Sequence, residues 1–179
     1  MKFKPVTEAL ESFCERQGVK FVLVGAFGLA AYGLQRSTRD LDLLIEDRDG
    51  PAVSCFLESL GYQTLHRTDA FAIHVHPLGA MGRVDLIFVD GSTAAQVLRR
   101  ARPVPLLGRS VLVACPEHLA AMKVQAMAND PRRLLGDLAD VQFLLGLPGV
   151  DRDEIRCHFE RHGLLDRYHE ICRLLDQAL

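Results

Sequence analysis

Two carboxylates lie one residue apart at the head of an apolar segment, Asp40-Leu41-Asp42-Leu43-Leu44-Ile45. On a strand, side chains at i and i+2 share a face and are separated by roughly 6.5–7 Å, so Asp40 and Asp42 project together. Two such anions repel unless they are protonated or bridged by a cation. Oxygen ligands of this kind suit Mg²⁺. A third carboxylate from a neighbouring strand would complete a site for one or two metals, as used in phosphoryl or nucleotidyl transfer.

Composition limits the classes of partner. The chain has 179 residues, 49% of them hydrophobic, which is enough for a core. The formal net charge is −2, so no global basic field would recruit nucleic acid. The five cysteines are scattered without a CxxC pair, which favours a reduced, cytoplasmic protein. The sequence contains no run of 18 apolar residues, the length that would predict a membrane span, so we expect no membrane partner.

The hydrophobic pattern changes character along the chain. It predicts an α/β core at 1–115 and a helical region at 116–179, packed together as one compact unit. Strands are predicted at 21–24, 41–46, 62–65, 71–76, 83–89 and 111–114, the fourth and fifth forming a hairpin. Helices are predicted at 7–17 with Thr7 as N-cap, and at 26–32, 52–60, 94–100, 117–128, 134–145, 153–161 and 164–178.

A longer pattern surrounds the two acids. Gly25-Ala26 is followed by thirteen residues and then Asp40-Leu41-Asp42, and Asp85 lies on a later predicted strand. This pattern resembles the signature of the DNA polymerase β-like nucleotidyltransferase superfamily. In that signature a strand ends in Gly-Gly or Gly-Ser, and a short helix, an Asp-x-Asp strand and a third acid follow. Ala26 departs from it, because alanine offers a phosphate its N–H but no hydroxyl.

Two further segments narrow the resemblance. The stretches 24–33 and 36–42 are similar to minimal nucleotidyltransferases of the abortive-infection and toxin–antitoxin (AbiEii-like) type. So are Pro116–Lys123 and Asp137–Asp140, and the resemblance covers roughly residues 20–145. It implies an α/β (α+β) fold, in which a mixed sheet carries flanking helices and a C-terminal helical part.

The resemblance also implies roles for individual residues. Asp40, Asp42 and Asp85 would be catalytic residues that bind two Mg²⁺ ions, for which Mn²⁺ could substitute. Asp85 would also help deprotonate the acceptor. Phosphate-binding positions would be Gly25, Ala26, Arg36, Ser37, Thr38 and Lys123. Asp137 or Asp140 would orient Lys123 or contact the acceptor. The alternative for Lys123 is an ordinary solvated lysine. The alternative for the two aspartates is a solvent-exposed helix face or pairing with Arg132 or Arg133.

The implied activity is an EC 2.7.7-type transfer of a nucleoside monophosphate from an NTP to an acceptor, with release of pyrophosphate. The acceptor would be tRNA or a protein in a toxin or defence role, or a small antibiotic. One alternative is a weakly active or inactive member that binds a cognate antitoxin or toxin. The other is a plain α/β domain with fortuitous acids, which predicts no metal dependence.

Three other features have ordinary explanations. His74 and His76 share one strand face, which we interpret as the polar face of an edge hairpin, with a zinc pair as the alternative. The basic run Arg99-Arg100-Ala101-Arg102 is interpreted as a solvated connector, with RNA backbone contact as the alternative. The apolar stripe of the helices after Asp151 predicts core, with a homodimer or partner contact as the alternative.

Overall fold

The computed structural model describes residues 3–106 and 109–177. The chain divides into two compact units, the first ending at Ala114 and the second beginning at Cys115. Within the described ranges, the first unit is a seven-stranded mixed sheet with flanking helices, and the second is helical. The predicted fold class is therefore confirmed, whereas the packing of the helical region on the sheet stays a prediction.

Apart from one additional strand, the elements follow the predicted order. The first unit contains α1 (Phe3–Gln17), β1 (Phe21–Leu23), α2 (Gly25–Ala31), β2 (Asp40–Glu46), α3 (Gly50–Ser59), β3 (Gln63–Arg67), β4 (Phe71–Val75), β5 (Arg83–Val89), α4 (Gly91–Arg100), β6 (Arg102–Leu106) and β7 (Arg109–Val113). The second unit contains α5 (Pro116–Asn129), α6 (Leu134–Leu145), α7 (Arg152–Arg161) and α8 (Leu165–Gln177). Short 3₁₀ turns occur at Asp47–Asp49, Gly79–Met81 and Pro131–Arg133.

Strand β2 lies at the centre of the sheet, whose order is β3-β4-β5-β2-β1-β7-β6. It pairs in parallel with β5 and antiparallel with β1. Strands β4 and β5 pair antiparallel, which confirms the predicted hairpin. The central position gives β2 a hydrogen-bonded neighbour on both sides, so the residues that it carries are held in a fixed register.

One face of the two central strands forms the core of this unit. Leu41 and Leu43 of β2 are buried beside Val84 and Leu86 of β5. Residues of α1 and α3 pack on this face in one cluster: Phe3, Val6, Leu10, Val53 and Leu57. Burying a leucine stabilises a fold by about 1.5–3 kcal/mol. Because strand side chains alternate, the residues between these leucines point to the opposite face.

Three sequence expectations of this unit are wrong. Helix α1 begins at Phe3, and Thr7 is not its N-cap, because the buried Thr7 hydroxyl donates to the Phe3 carbonyl at 3.0 Å. No strand was predicted after the basic run, whose arginines are exposed as a solvated connector requires, but its last residue, Arg102, begins strand β6. Its Pro103 and Pro105 conceal a strand from propensity rules, although an edge strand tolerates proline. The polar face proposed for the hairpin fails at His74, which is 0% exposed.

The helical unit has its own buried side chains. The members on α5, α6 and α7 are Leu119, Ala120, Val124, Met127, Val141, Leu144, Leu145, Ile155 and Phe159. On α8, Tyr168 and Ile171 are buried as predicted, whereas Leu174 is exposed. Among the described residues, none of the helices has both the length and the apolar character needed to span a bilayer.

Candidate functional site

Three carboxylates share one face of the central strands. In the β2–β5 register, Asp42 pairs with Asp85, and Asp40 pairs with Arg83. Neighbouring strands lie about 4.8 Å apart, and paired residues of parallel strands point to the same side. Asp40, Asp42 and Asp85 therefore occupy the face opposite the leucine core, and each is partly exposed. The fold thus brings together two acids from one segment and a third from a segment more than forty positions away.

Helix α4 covers the far end of this face. Leu44, two residues beyond Asp42, is buried. Glu46 follows on the same face, and a Cβ added at Gly91, the first residue of α4, would lie 2.9 Å from Glu46 Oε1. The open part of the face is therefore the end that carries Asp40 and Asp42.

The turn at Gly25 packs directly against one of the acids. Gly25 has φ +60°, in the left-handed region that favours glycine. A Cβ at this position would lie 2.6 Å from Cγ of Asp42, well inside van der Waals contact. The preceding Val24 N–H donates to the Asp42 carbonyl at 3.0 Å. Glycine is therefore required here both by the backbone and by the position of the carboxylate.

The chain between α2 and β2 carries the other predicted phosphate contacts. Arg36 and Ser37 are exposed in this connection. The Thr38 hydroxyl accepts from the Asp40 N–H at 3.2 Å and lies 3.1 Å from the Asp40 carbonyl, to which it donates. Thr38 thus fixes the entry into β2, next to the first acid. The phosphate contacts of Arg36, Ser37 and Thr38 stay predictions.

Arg83 was missed in the sequence analysis, although it contacts two of the three acids. Its Nε donates to Asp85 Oδ1 at 2.6 Å, its Nη2 donates to Asp85 Oδ2, and its Nε lies 3.9 Å from Asp40 Oδ1. Hydrogen bonding to Asp85 is the main reason why the pKa of Arg83 is raised, and the charges of Asp40 and Asp42 add to the shift. The spacing of Arg83 and Asp85 at i and i+2 was the signal available in the sequence.

The donor set fits a hard divalent cation in its chemistry, because it consists of carboxylate oxygens on one face. It is not a ready-made cage. Within residues 3–106 and 109–177, no three His, Cys, Asp or Glu side chains are grouped closely enough to hold a metal ion. The guanidinium of Arg83 supplies positive charge to Asp85 instead. Metal ligation by all three acids therefore requires a movement of side chains.

The helical unit contains a second ionic group. Lys123 Nζ donates to Asp137 Oδ1 at 2.8 Å and lies 2.7 Å from Asp140 Oδ2. Arg133 Nε donates to Asp137 Oδ2 at 2.8 Å. Lys123, Asp137 and Asp140 are 8%, 4% and 1% exposed, so the alternatives of a solvated lysine and a solvent face are wrong, whereas the alternative pairing with Arg133 is present at Asp137. The two aspartates hold Lys123, while its predicted phosphate contact stays a prediction.

Comparison with known proteins identifies the fold. No family profile and no curated protein matches the chain. Thirteen chains of solved structures match, among them the three described below, which align over most of its length. The antibiotic-resistance factor ANT(2'')-Ia has 13% identity and a TM-score of 0.66, covering 93% of this chain and 96% of its own. The lincosamide antibiotic adenylyltransferase LnuA, bound to lincomycin, has 15% identity and a TM-score of 0.55, covering 82% and 97%.

The third is an antigenic nucleotidyltransferase-like protein from Paracoccidioides brasiliensis. It has 17% identity and a TM-score of 0.60, covering 98% of this chain and 92% of its own. The chain therefore has the fold of solved nucleotidyltransferases, and its three carboxylates lie on the two central strands of that fold.

Proposed function

We propose that the protein is a metal-dependent nucleotidyltransferase that moves a nucleoside monophosphate from an NTP to an acceptor hydroxyl or phosphate. The observation that carries this proposal is the register of β2 and β5, which places Asp40, Asp42 and Asp85 on one open face. The close packing of Gly25 on Asp42 supports it, because an ordinary strand-to-helix turn has no need of a glycine against a carboxylate.

In the proposed reaction, an acceptor oxygen forms a bond to the α-phosphorus and the bond from that phosphorus to the β-phosphate bridging oxygen breaks. Pyrophosphate leaves, and an acceptor hydroxyl gives its proton to a carboxylate oxygen of Asp85. Asp40 and Asp42 would hold Mg²⁺ together with Asp85. The bound metal would neutralise charge on the triphosphate and on the attacking and leaving oxygens.

The remaining predicted residues would act on the nucleotide. Gly25 and Ala26 would present backbone N–H groups to phosphate oxygens, and Arg36, Ser37 and Thr38 would approach them from the connection before β2. Arg36 and Ser37 are exposed and so accessible to a ligand. Lys123 would contribute only after releasing an aspartate, because its Nζ lies 2.8 Å from Asp137 Oδ1 and 2.7 Å from Asp140 Oδ2.

The acceptor we propose first is tRNA or a protein, in keeping with the similarity of 24–33 and 36–42 to toxin–antitoxin nucleotidyltransferases. A small antibiotic is the second candidate, and it is favoured by the fold similarity to ANT(2'')-Ia and LnuA. A partner-binding protein without strong activity is the remaining candidate, and Ala26 is the residue that favours it.

The test is a labelling reaction with purified protein, Mg²⁺ and each α-³²P-labelled NTP. Total cellular RNA and protein are supplied in one arm, and an aminoglycoside or a lincosamide in the other. Asp42→Asn should remove the label, since loss of a charged transition-state contact costs about 10²–10³-fold.

Glu46→Gln is the matched control, because Glu46 follows on the same strand face as Asp42 but beyond the open part. It should retain labelling. Absence of label with every NTP and acceptor would favour the partner-binding candidate. Label that survives Asp42→Asn would contradict the assignment of the three acids.

A further inference from the structure

Arg83 holds the carboxylate that the proposed reaction needs. We propose that Arg83 is a built-in competitor of the divalent cation at Asp85, so that metal binding there requires the guanidinium to leave. The inference rests on the proposed function, since it assumes that Asp85 is a metal ligand. In the contact between the two side chains, Nε and Nη2 of Arg83 donate to the two oxygens of Asp85.

The two occupants compete for the same atoms. A planar guanidinium that donates to both oxygens of a carboxylate makes one of the stronger side-chain contacts in proteins. A metal ion would need one or both of these oxygens as ligands. The side chain of Asp85 is only 16% exposed, so water cannot easily take the place of either the guanidinium or a metal ion at this carboxylate. The carboxylate therefore exchanges one cation for another rather than becoming solvated.

The surroundings allow Arg83 to leave without losing every partner. Its side chain is 38% exposed, which gives the guanidinium room to turn outward. Asp40 Oδ1 lies 3.9 Å from Nε, so a second carboxylate is already near it. The backbone is fixed, because the Arg83 N–H donates to the Arg39 carbonyl at 3.0 Å. The exchange thus takes place by rotation of one side chain on a rigid strand.

Arg83 also offsets repulsion among the three acids on this face. Neighbouring carboxylates repel unless a cation lies among them. Arg83 supplies such a cation, with Asp85 bonded and Asp40 close by. The consequence is a metal site whose affinity is lowered by the chain itself.

The experiment measures Mn²⁺ binding to the full chain, without nucleotide, from the electron paramagnetic resonance signal of free Mn²⁺. Arg83→Gln should lower Kd at least about tenfold, because a hydrogen-bonded charged competitor is gone. Arg83→Lys should lower it by about threefold, since lysine keeps the charge but not the two-point contact. Arg48→Gln is the matched control, because Arg48 pairs with Glu46, which lies about 13 Å beyond Asp42 along the strand. It should leave Kd unchanged.

An unchanged or raised Kd in Arg83→Gln would overturn the inference. So would a wild-type Kd in Arg83→Lys, which would mean that charge alone, not occupation of Asp85, sets the affinity. Asp42→Asn in the same titration separates this inference from the proposed function. If Asp42→Asn abolishes Mn²⁺ binding and the Arg83 variants do not change it, the proposed metal site is supported. In that case only the role of Arg83 as a competitor is contradicted. Absence of Mn²⁺ binding in every variant would contradict both this inference and the proposed function.

Discussion

The two ionic groups of the molecule differ in balance and in burial. On β2 and β5, Asp40, Asp42 and Asp85 share the open part of one face with the guanidinium of Arg83, and the side chains of Asp40 and Arg83 are 42% and 38% exposed. In the described part of the helical unit, Asp137 and Asp140 pair with Lys123 and Arg133, two anions with two cations. An accessible group with excess negative charge can accept a further cation, whereas removing one member of a buried and balanced group leaves a charge buried and unpaired.

This difference gives separate expectations for stability and for binding. Breaking the balanced group should cost folding free energy, because it leaves charge buried and unpaired. Neutralising an acid in the unbalanced group should cost little, because it relieves repulsion. The following variants test the contrast, beginning with the largest expected change.

Replacing the central cation of the helical group should give the largest effect. Lys123→Met keeps most of the side-chain volume but leaves two buried carboxylates with one fewer partner, so we expect a loss of about 3–5 kcal/mol of unfolding free energy. Urea denaturation measures it. Lys4→Met is the control, since Lys4 forms an exposed pair with Glu8, and it should change stability by less than about 0.5 kcal/mol. Equal effects of the two variants would refute a structural role for Lys123.

The second test concerns the turn that packs on the acid face. Gly25→Ala adds left-handed backbone strain and a Cβ that overlaps Asp42, so we expect a cost of about 2–3 kcal/mol together with loss of labelling. Gly18→Ala separates the two causes. Gly18 has φ +69°, and no described atom would lie within 4 Å of its Cβ, so strain alone should cost about 1 kcal/mol. A similar loss for both glycines would mean that the contact with Asp42 is unimportant.

The third test uses the buried histidine of the sheet. Burial lowers the pKa of His74, and the backbone of Val84 and the charges of Glu58 and Asp85 offset part of the shift. Among the described residues, neither ring nitrogen has a hydrogen-bond partner at ordinary geometry. The folded state therefore favours neutral His74, so its contribution is present above the unfolded pKa of about 6.5 and is lost as pH falls towards the folded pKa.

We expect the unfolding free energy to fall by at most about 1.4 kcal/mol per pH unit below pH 6.5 because of this one group. His74→Gln should reduce that slope, while His66→Gln, at an exposed position on the neighbouring strand, should retain it. Denaturant titrations at pH 7.5, 6.5 and 5.5 measure the effect. A slope that is identical in wild type and His74→Gln would show that His74 does not titrate on unfolding.

The smallest change is expected at the acid face. Asp42→Asn keeps the shape of the side chain and removes one of three neighbouring anions, so unfolding free energy in EDTA should stay within about 0.5 kcal/mol of wild type. The same variant should lose the thermal stabilisation that Mn²⁺ gives the wild type. A loss above about 1 kcal/mol without metal would place Asp42 with the balanced group and remove the contrast.

The acid motif could be predicted from sequence because it is local. Asp40 and Asp42 are fixed by strand alternation, and Gly25 by the turn before a helix. The approach of Arg83 to Asp40 could not be predicted, because the two residues lie side by side only through the β2–β5 register. The burial of His74 likewise depends on helix packing over the hairpin, and the alternation of His74 and His76 contains no information about which face is covered. Strand β6 was not predicted because it contains two prolines, which propensity rules count against a strand even though an edge strand tolerates them.

The parallel pairing of β2 with β5 also has a consequence for synthesis of the chain. Between Asp42 and Asp85 the chain must make α3, β3 and β4 before β5 can dock beside β2. Pairings between distant segments form slowly, because their loop-closure entropy comes first. A nascent chain that has not yet emerged past Asp85 has two of the three acids and lacks the third. Affinity for a metal would therefore report that β5 has docked beside β2, before β6 and β7 join the sheet.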